Sequence, residues 1–65
     1  MVRPALTGTR IRARRLDVGL RQAALARACG VSPSYLNLIE HNRRRIGGKL
    51  LNLIAETLEI DAAAL

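Results

Sequence analysis

Ala26 and Gly30, four residues apart and flanked by two short apolar-patterned stretches, constrain this chain more than any other feature. Arg21 to Cys29 (RQAALARAC) sets Leu25, Ala26 and Cys29 on one helical face, and Gly30 ends that helix where a left-handed backbone costs least. Ser32 then reads as an N-cap with Pro33 at the first helical position, and the next helix runs through Tyr35, Leu36 and Ile39 to Glu40. Two helices joined so closely can meet at a steep angle. Their crossing needs a small side chain, which Ala26 supplies. Leu36 and Ile39 lie three apart on one face and can bury against Leu25, so Ser34, Asn37 and Leu38 point elsewhere.

The remaining segments fit helices around this pair. Residues 1–8 hold Pro4 and little pattern, and read as a flexible arm whose Arg3 is solvated or touches a partner. From Thr9, the apolar positions Ile11, Ala13 and Leu16 recur among Arg10, Arg12, Arg14 and Arg15, with Gly19 as a stop. This predicts a first helix with a very basic exposed face. His41 to Gly48 has no apolar period and reads as a loop. Lys49 to Leu58 restores the period through Leu50, Leu51, Ile54, Ala55 and Leu58. Ile60 and an N-cap at Asp61 before AAAL predict a fifth helix only just begun, an ending that suggests one domain of a longer chain. The expected fold is all-α, a compact bundle of four to five short helices over residues 9–65, without strands or internal repeats.

Sixty-five residues allow one fold and one site. The chain lacks Trp and Phe and has one Tyr, yet it is 49% hydrophobic, so its core is aliphatic and suits helices. Cys29 is the only cysteine, which excludes an intrachain disulfide and a cysteine-based zinc cluster and makes a cytoplasmic location the expectation. Cys29 itself reads as core filler, and the lone His41 as polar surface or a phosphate neighbour rather than a metal ligand. No apolar run approaches the roughly 18–20 residues that span a bilayer. Eleven Lys and Arg, ten of them Arg, against five Asp and Glu give +6, favouring a polyanionic partner, nucleic acid before membrane. No catalytic set, cofactor loop or metal cluster supports an enzyme.

The 22–41 segment satisfies what a helix-turn-helix demands, with the second helix offering its outer face to a major groove. IRARR, then GLRQAALARACGVS, YLNLIE and LLNLIAETLEI follow one another in register, with Gln22, Ala26, Gly30, Leu36, Ile39 and Glu40 in order. Over nearly all of residues 9–65 the chain resembles the Cro/C1-type helix-turn-helix regulators (the xenobiotic-response-element, XRE, family, with a lambda-repressor-like domain). The stretch SPSYLNLIEHNRRRIGGKLL also resembles a subfamily of bacterial metabolic regulators that sense short-chain acyl-CoA through a large C-terminal region.

The resemblance implies residue roles. Helix 32–40 becomes the recognition helix, with Ser32, Pro33, Ser34, Asn37 and Leu38 at base-facing positions. Asn37 is the strongest reader on chemical grounds, because an amide can bond adenine N6 and N7 together. Leu38 and Pro33 shift readout toward thymine methyls or DNA shape. Gln22 matches a glutamine that holds a phosphate and helps orient the recognition helix, with Arg21 adding charge at that helix start. The 41–49 loop would lie along the backbone through Arg43, Arg44 and Arg45, while Gly47 and Gly48 leave main-chain N–H groups open beside Lys49. Tyr35 stands between packing on the motif and a phosphate contact. Arg15 and Glu40 match a structural ion pair and are not DNA contacts. Asn42 replaces a family glycine, a position Asn tolerates.

The expected function is therefore sequence-specific binding of double-stranded DNA by a repressor-type regulator, as a homodimer on an inverted repeat. Leu53, Leu58, Ile60 and Leu65 are the candidates for the dimer contact. An acyl-CoA effector would belong only to a longer chain, and no cofactor is expected. The alternative is a protein-interaction module, antitoxin-like or docking, whose basic face ignores DNA sequence. Structured RNA comes third, since its narrow major groove leaves helix 32–40 without a purpose.

Overall fold

The computed structural model describes residues 6–65, so the first five residues of the expected arm, with Arg3, lie outside the described part. Among the described residues there are four α-helices, α1 (Leu6–Asp17), α2 (Gln22–Cys29), α3 (Pro33–Glu40) and α4 (Gly48–Thr57), then a 3₁₀ turn at Ala62–Ala64, and no strand. The fold is all-α, and its last element is a single turn capped by Asp61, whose Oδ1 accepts the Ala63 N–H at 3.0 Å. Helix α1 starts at Leu6 rather than Thr9, so Leu6, Thr7 and Gly8 are helical and not arm. The weak helix propensity of Thr7 and Gly8 hides this start, which tertiary contact with α3 stabilises. Helix α4 starts one residue early, at Gly48, and ends at Thr57 with Leu58 as its C-cap.

Ile11, Leu25, Leu36, Ile39, Ile54 and Leu58 are buried almost completely, together with Ala26 and Ala55. Burying each of the six large side chains contributes about 1.5–3 kcal/mol. All four helices supply at least one of them, so the core ties the two crossing helices to α1 and α4. The periodic reading misplaced α1, however. Leu16 is 52% exposed and Ala13 is also exposed, while Gly8, Ile11 and Arg15 face inward. A glycine and an arginine carry an inner face that apolar counting cannot see.

All four helices end with the same closure. A residue at positive φ follows each, namely Gly19, Gly30, Asn42 and Glu59. The next N–H reaches back five residues: Leu20 to Arg15, Val31 to Ala26, Arg43 to Leu38 and Ile60 to Ala55, at 2.8–3.0 Å. This is the Schellman arrangement, which satisfies the last carbonyls and usually adds an apolar contact. Leu20, Val31 and Ile60 make that contact by packing on the core. Arg43 is the exception: the chain leaving α3 carries charge outward where the other three tuck in.

Candidate nucleic-acid interface

The outer face of α3 is held ready by its cap. Ser32 Oγ accepts the Tyr35 N–H at 3.0 Å and Pro33 occupies the first turn, so the helix starts without help from any partner. Pro33, Ser34 and Asn37 are exposed and Leu38 is half-buried. Together with Gln22 from the start of α2, they line one shallow recess of about 420 Å³. Four of the five residues expected to face bases thus share one depression. The fifth, Ser32, is exposed at its edge with its oxygen engaged in the cap.

Behind this face lies a buried polar anchor. Arg15 Nε and Nη2 donate to Glu40 Oε2 and Oε1 at 2.7 and 3.0 Å, and Arg15 Nη1 donates to the Leu20 carbonyl at 3.0 Å. Only 7% of Arg15 and 2% of Glu40 are exposed, so this two-pronged pair fastens α1 to the end of α3. Gln22 Nε2 donates both to Glu40 Oε1 and to Asn37 Oδ1, each at 3.2 Å. A continuous set of bonds therefore runs from the anchor to an exposed residue of the recess.

The residues expected at phosphates fall in two groups. Arg21 is exposed as the N-cap of α2, and Gln22 follows it; Arg43, Arg44 and Arg45 are exposed in the loop that leads to exposed Gly48 and Lys49 at the start of α4. Neither α2 nor α4 has a side-chain N-cap or an acidic residue in its first turn. Their leading N–H groups thus point out of the helix end without a carboxylate or hydroxyl to take them, which suits an anion. Tyr35 is half-buried and packs on the core. His41 is exposed, and its Nδ1 lies 2.8 Å from the Asn37 carbonyl at the end of α3.

Sequence patterns missed the devices that aim α3. Asn42, at φ 61°, accepts the Gly8 N–H with its Oδ1 and donates from Nδ2 to Thr9 Oγ1, both at 2.9 Å. A Cβ on Gly8 would lie 1.9 Å from the Ile39 carbonyl oxygen, so only glycine lets α1 approach α3 this closely. Gly8 fell in the segment that reads as an arm, so no helical period marked it. Arg14, assigned to the exposed basic face, donates instead from Nε to the Leu58 carbonyl at 3.0 Å and from Nη2 to the Glu59 carbonyl at 3.3 Å. It closes the end of α4 where Glu59 holds φ 55°. Of the residues offered for a dimer contact, Leu58 and Leu65 are core and Ile60 packs against it; Leu53, 40% exposed, alone keeps a large outward surface.

A helix-turn-helix family pattern matches residues 11–65. The HTH-type transcriptional regulator RamB of Mycobacterium tuberculosis is 46% identical over 55 residues, covering 85% of this chain and 12% of that protein. The HTH-type transcriptional regulator PrpR of the same organism is 39% identical over 56 residues, covering 86% of this chain and 12% of that protein. The chain thus spans about an eighth of the length of these relatives. Among solved structures, the clp gene regulator ClgR of Corynebacterium glutamicum superposes with a TM-score of 0.89 at 33% identity, covering 98% of this chain and 67% of that one. The restriction-modification controller protein C.AhdI of Aeromonas hydrophila gives 0.84 at 29% identity, covering 91% and 86%.

Proposed function

The chain belongs to the helix-turn-helix family, in its Cro/C1-type branch, and from this premise we propose that it is the DNA-binding domain of a bacterial transcriptional regulator. The observation that carries the reading is the recess on α3, flanked by an uncapped helix start at Arg21 and continued by the arginine loop. Helix α3 enters the major groove, where Ser34, Asn37 and Leu38 meet base edges and Pro33 and Ser32 meet the groove wall. Arg21 and the main-chain N–H of Gln22 take a phosphate at one side. Arg43, Arg44, Arg45, Lys49 and the Gly48 N–H take the backbone at the other, with Tyr35 lending its hydroxyl.

The role is binding rather than catalysis, in the cytoplasm and at the nucleoid. Among the described residues, no helix is long and apolar enough to cross a membrane. Two copies act on an inverted repeat, because one domain of this size covers too little DNA for tight selective binding. The burial of Leu58 and Leu65 moves the pairing surface toward Leu53 or to regions such as the relatives carry beyond the matched segment. The acyl-CoA response that the resemblance implies would reside in such a region as well.

Titration of labelled duplexes at several salt concentrations tests the proposal. Affinity should fall steeply with salt, with a log–log slope near −0.9 per phosphate neutralised. Equal or tighter binding to an acidic protein surface, with no preference among duplexes, would favour the interaction-module alternative.

A further inference from the structure

The hydrogen bond at His41 fixes what its ring can offer outward. Nδ1 lies 2.8 Å from the Asn37 carbonyl oxygen, one turn back along α3. A carbonyl only accepts, so Nδ1 carries a hydrogen and donates it, and in the neutral ring Nε2 keeps a bare lone pair. In that form the exposed ring has nothing to give a phosphate, which only accepts. A second proton, on Nε2, makes it a charged donor and strengthens the Nδ1 bond to the end of α3 as well.

Placement decides what meets that nitrogen. His41 continues the stripe of Ser34 and Asn37 at helical spacing, and it stands about 6 Å beyond Asn37 along the axis. The leading residues of a recognition helix reach base edges, so its last turn lies where the chain rises to the DNA backbone, just ahead of Arg43. The cations on the elements that meet this end of α3 are Arg10, Arg12 and Arg15 of α1, Arg21 before α2, the three loop arginines and Lys49 of α4. Glu40 beside it is buried against Arg15, and Asp17 of α1 pairs with Arg14 on the side that meets the end of α4. Among the described residues, no carboxylate forms an ion pair with His41, so the anion its second proton can face is a phosphate.

We propose that His41 is a proton-gated phosphate contact: each chain takes up a proton at Nε2 as it binds DNA, and that N–H donates to a backbone oxygen. This rests on the DNA-binding reading above. The bound chain then holds more protons than the free one, so affinity falls as pH rises. Imidazole is the side chain that ordinarily changes charge between pH 5 and 8, and His41 is the only histidine of the chain. The arginines and Lys49 stay charged over that span, so a change in affinity there is assigned to one ring.

The test titrates the 65-residue chain with one labelled duplex at constant ionic strength, from about pH 5.5 to about pH 7.5. The parent should bind about three- to tenfold tighter at the acid end, as a proton shared with a phosphate requires. His41→Gln, which carries no titrating ring, should bind at the weaker level with a flat profile. His41→Lys, charged throughout, should also be flat but at the tighter level. Melting temperatures of both variants verify folding. The inference is overturned if the parent's affinity is constant or rises with pH, since a rise would mean that neutral Nε2 accepts from a base. It is overturned too if His41→Gln keeps the parent's slope, or if His41→Lys binds no tighter than His41→Gln; in all these outcomes the DNA-binding reading stands. A parent that binds no duplex at any pH defeats that reading, and this inference with it.

Discussion

Asn42 grips Gly8: its side-chain oxygen accepts the glycine N–H at 2.9 Å, across the line where α1 meets the end of α3. Because Asn42 also ends α3 at positive φ, one residue both stops the recognition helix and sets its distance from α1. Replacing a glycine inside a helix with alanine ordinarily stabilises by roughly 0.5–1 kcal/mol. Gly8→Ala should do the opposite, costing at least about 1–3 kcal/mol, because the added methyl meets the Ile39 carbonyl and α1 must move. Urea unfolding of the variant checks the sign, and a gain in stability would show that α1 and α3 are not packed this closely.

The opposite sign is expected at Glu59, which holds φ 55° with an exposed side chain. A left-handed residue other than glycine costs roughly 1–2 kcal/mol. Glu59→Gly should therefore raise the unfolding free energy by about 0.5–1 kcal/mol. Thermal melts decide, and an unchanged or lower midpoint would place the strain elsewhere.

The Arg15–Glu40 pair should be costly to halve. Arg15→Met leaves a buried carboxylate with only the Gln22 amide, and should destabilise by about 3–5 kcal/mol. The double variant Arg15→Met, Glu40→Leu should regain most of that loss, since two well-packed apolar side chains can replace a buried pair. Chemical denaturation of both variants checks this; a double variant as unstable as the single would mean that packing, not the orphaned charge, sets the cost.

Much of the fold was legible because its signals are local. Ser32 and Pro33 announce α3, Gly30 announces the end of α2, and Leu36 and Ile39 repeat at helical spacing. The cap geometry then follows with little help from distant residues. Helix α1 was misread for the converse reason: Gly8 faces inward only because the Ile39 carbonyl lies opposite, thirty-odd residues away, whereas the inward Arg15, paired with Glu40 as the resemblance implied, is invisible to an apolar period. The exposed residues of the recess follow from helical geometry once α3 is known. The tie between Gln22 and Asn37 does not, since it depends on where the end of α3 meets the start of α2. Leu58 and Leu65 were offered to a partner because periodicity reports an apolar face without saying what covers it.

Arg44 and Asn37 should separate general affinity from base choice. Arg44→Ala, in the exposed loop, should weaken binding to all duplexes alike and reduce the salt slope by about one unit. Asn37→Ala should lose about 1–3 kcal/mol on the selected sequence and little on others. Salt-dependent titrations on matched and scrambled duplexes distinguish the two; an unchanged slope would remove Arg44 from the backbone contacts.

The most direct measurement of whether α3 reads DNA sequence is selection of bound duplexes from a randomised pool at near-physiological salt. It should be run with the 65-residue chain alone and with the same chain fused to a dimerising partner. Enrichment of a half-site by the chain, and of an inverted repeat with centres about one helical turn apart by the fusion, is the predicted result. Recovery of a pool with no enriched sequence from both proteins, at concentrations where each binds DNA, would contradict the account.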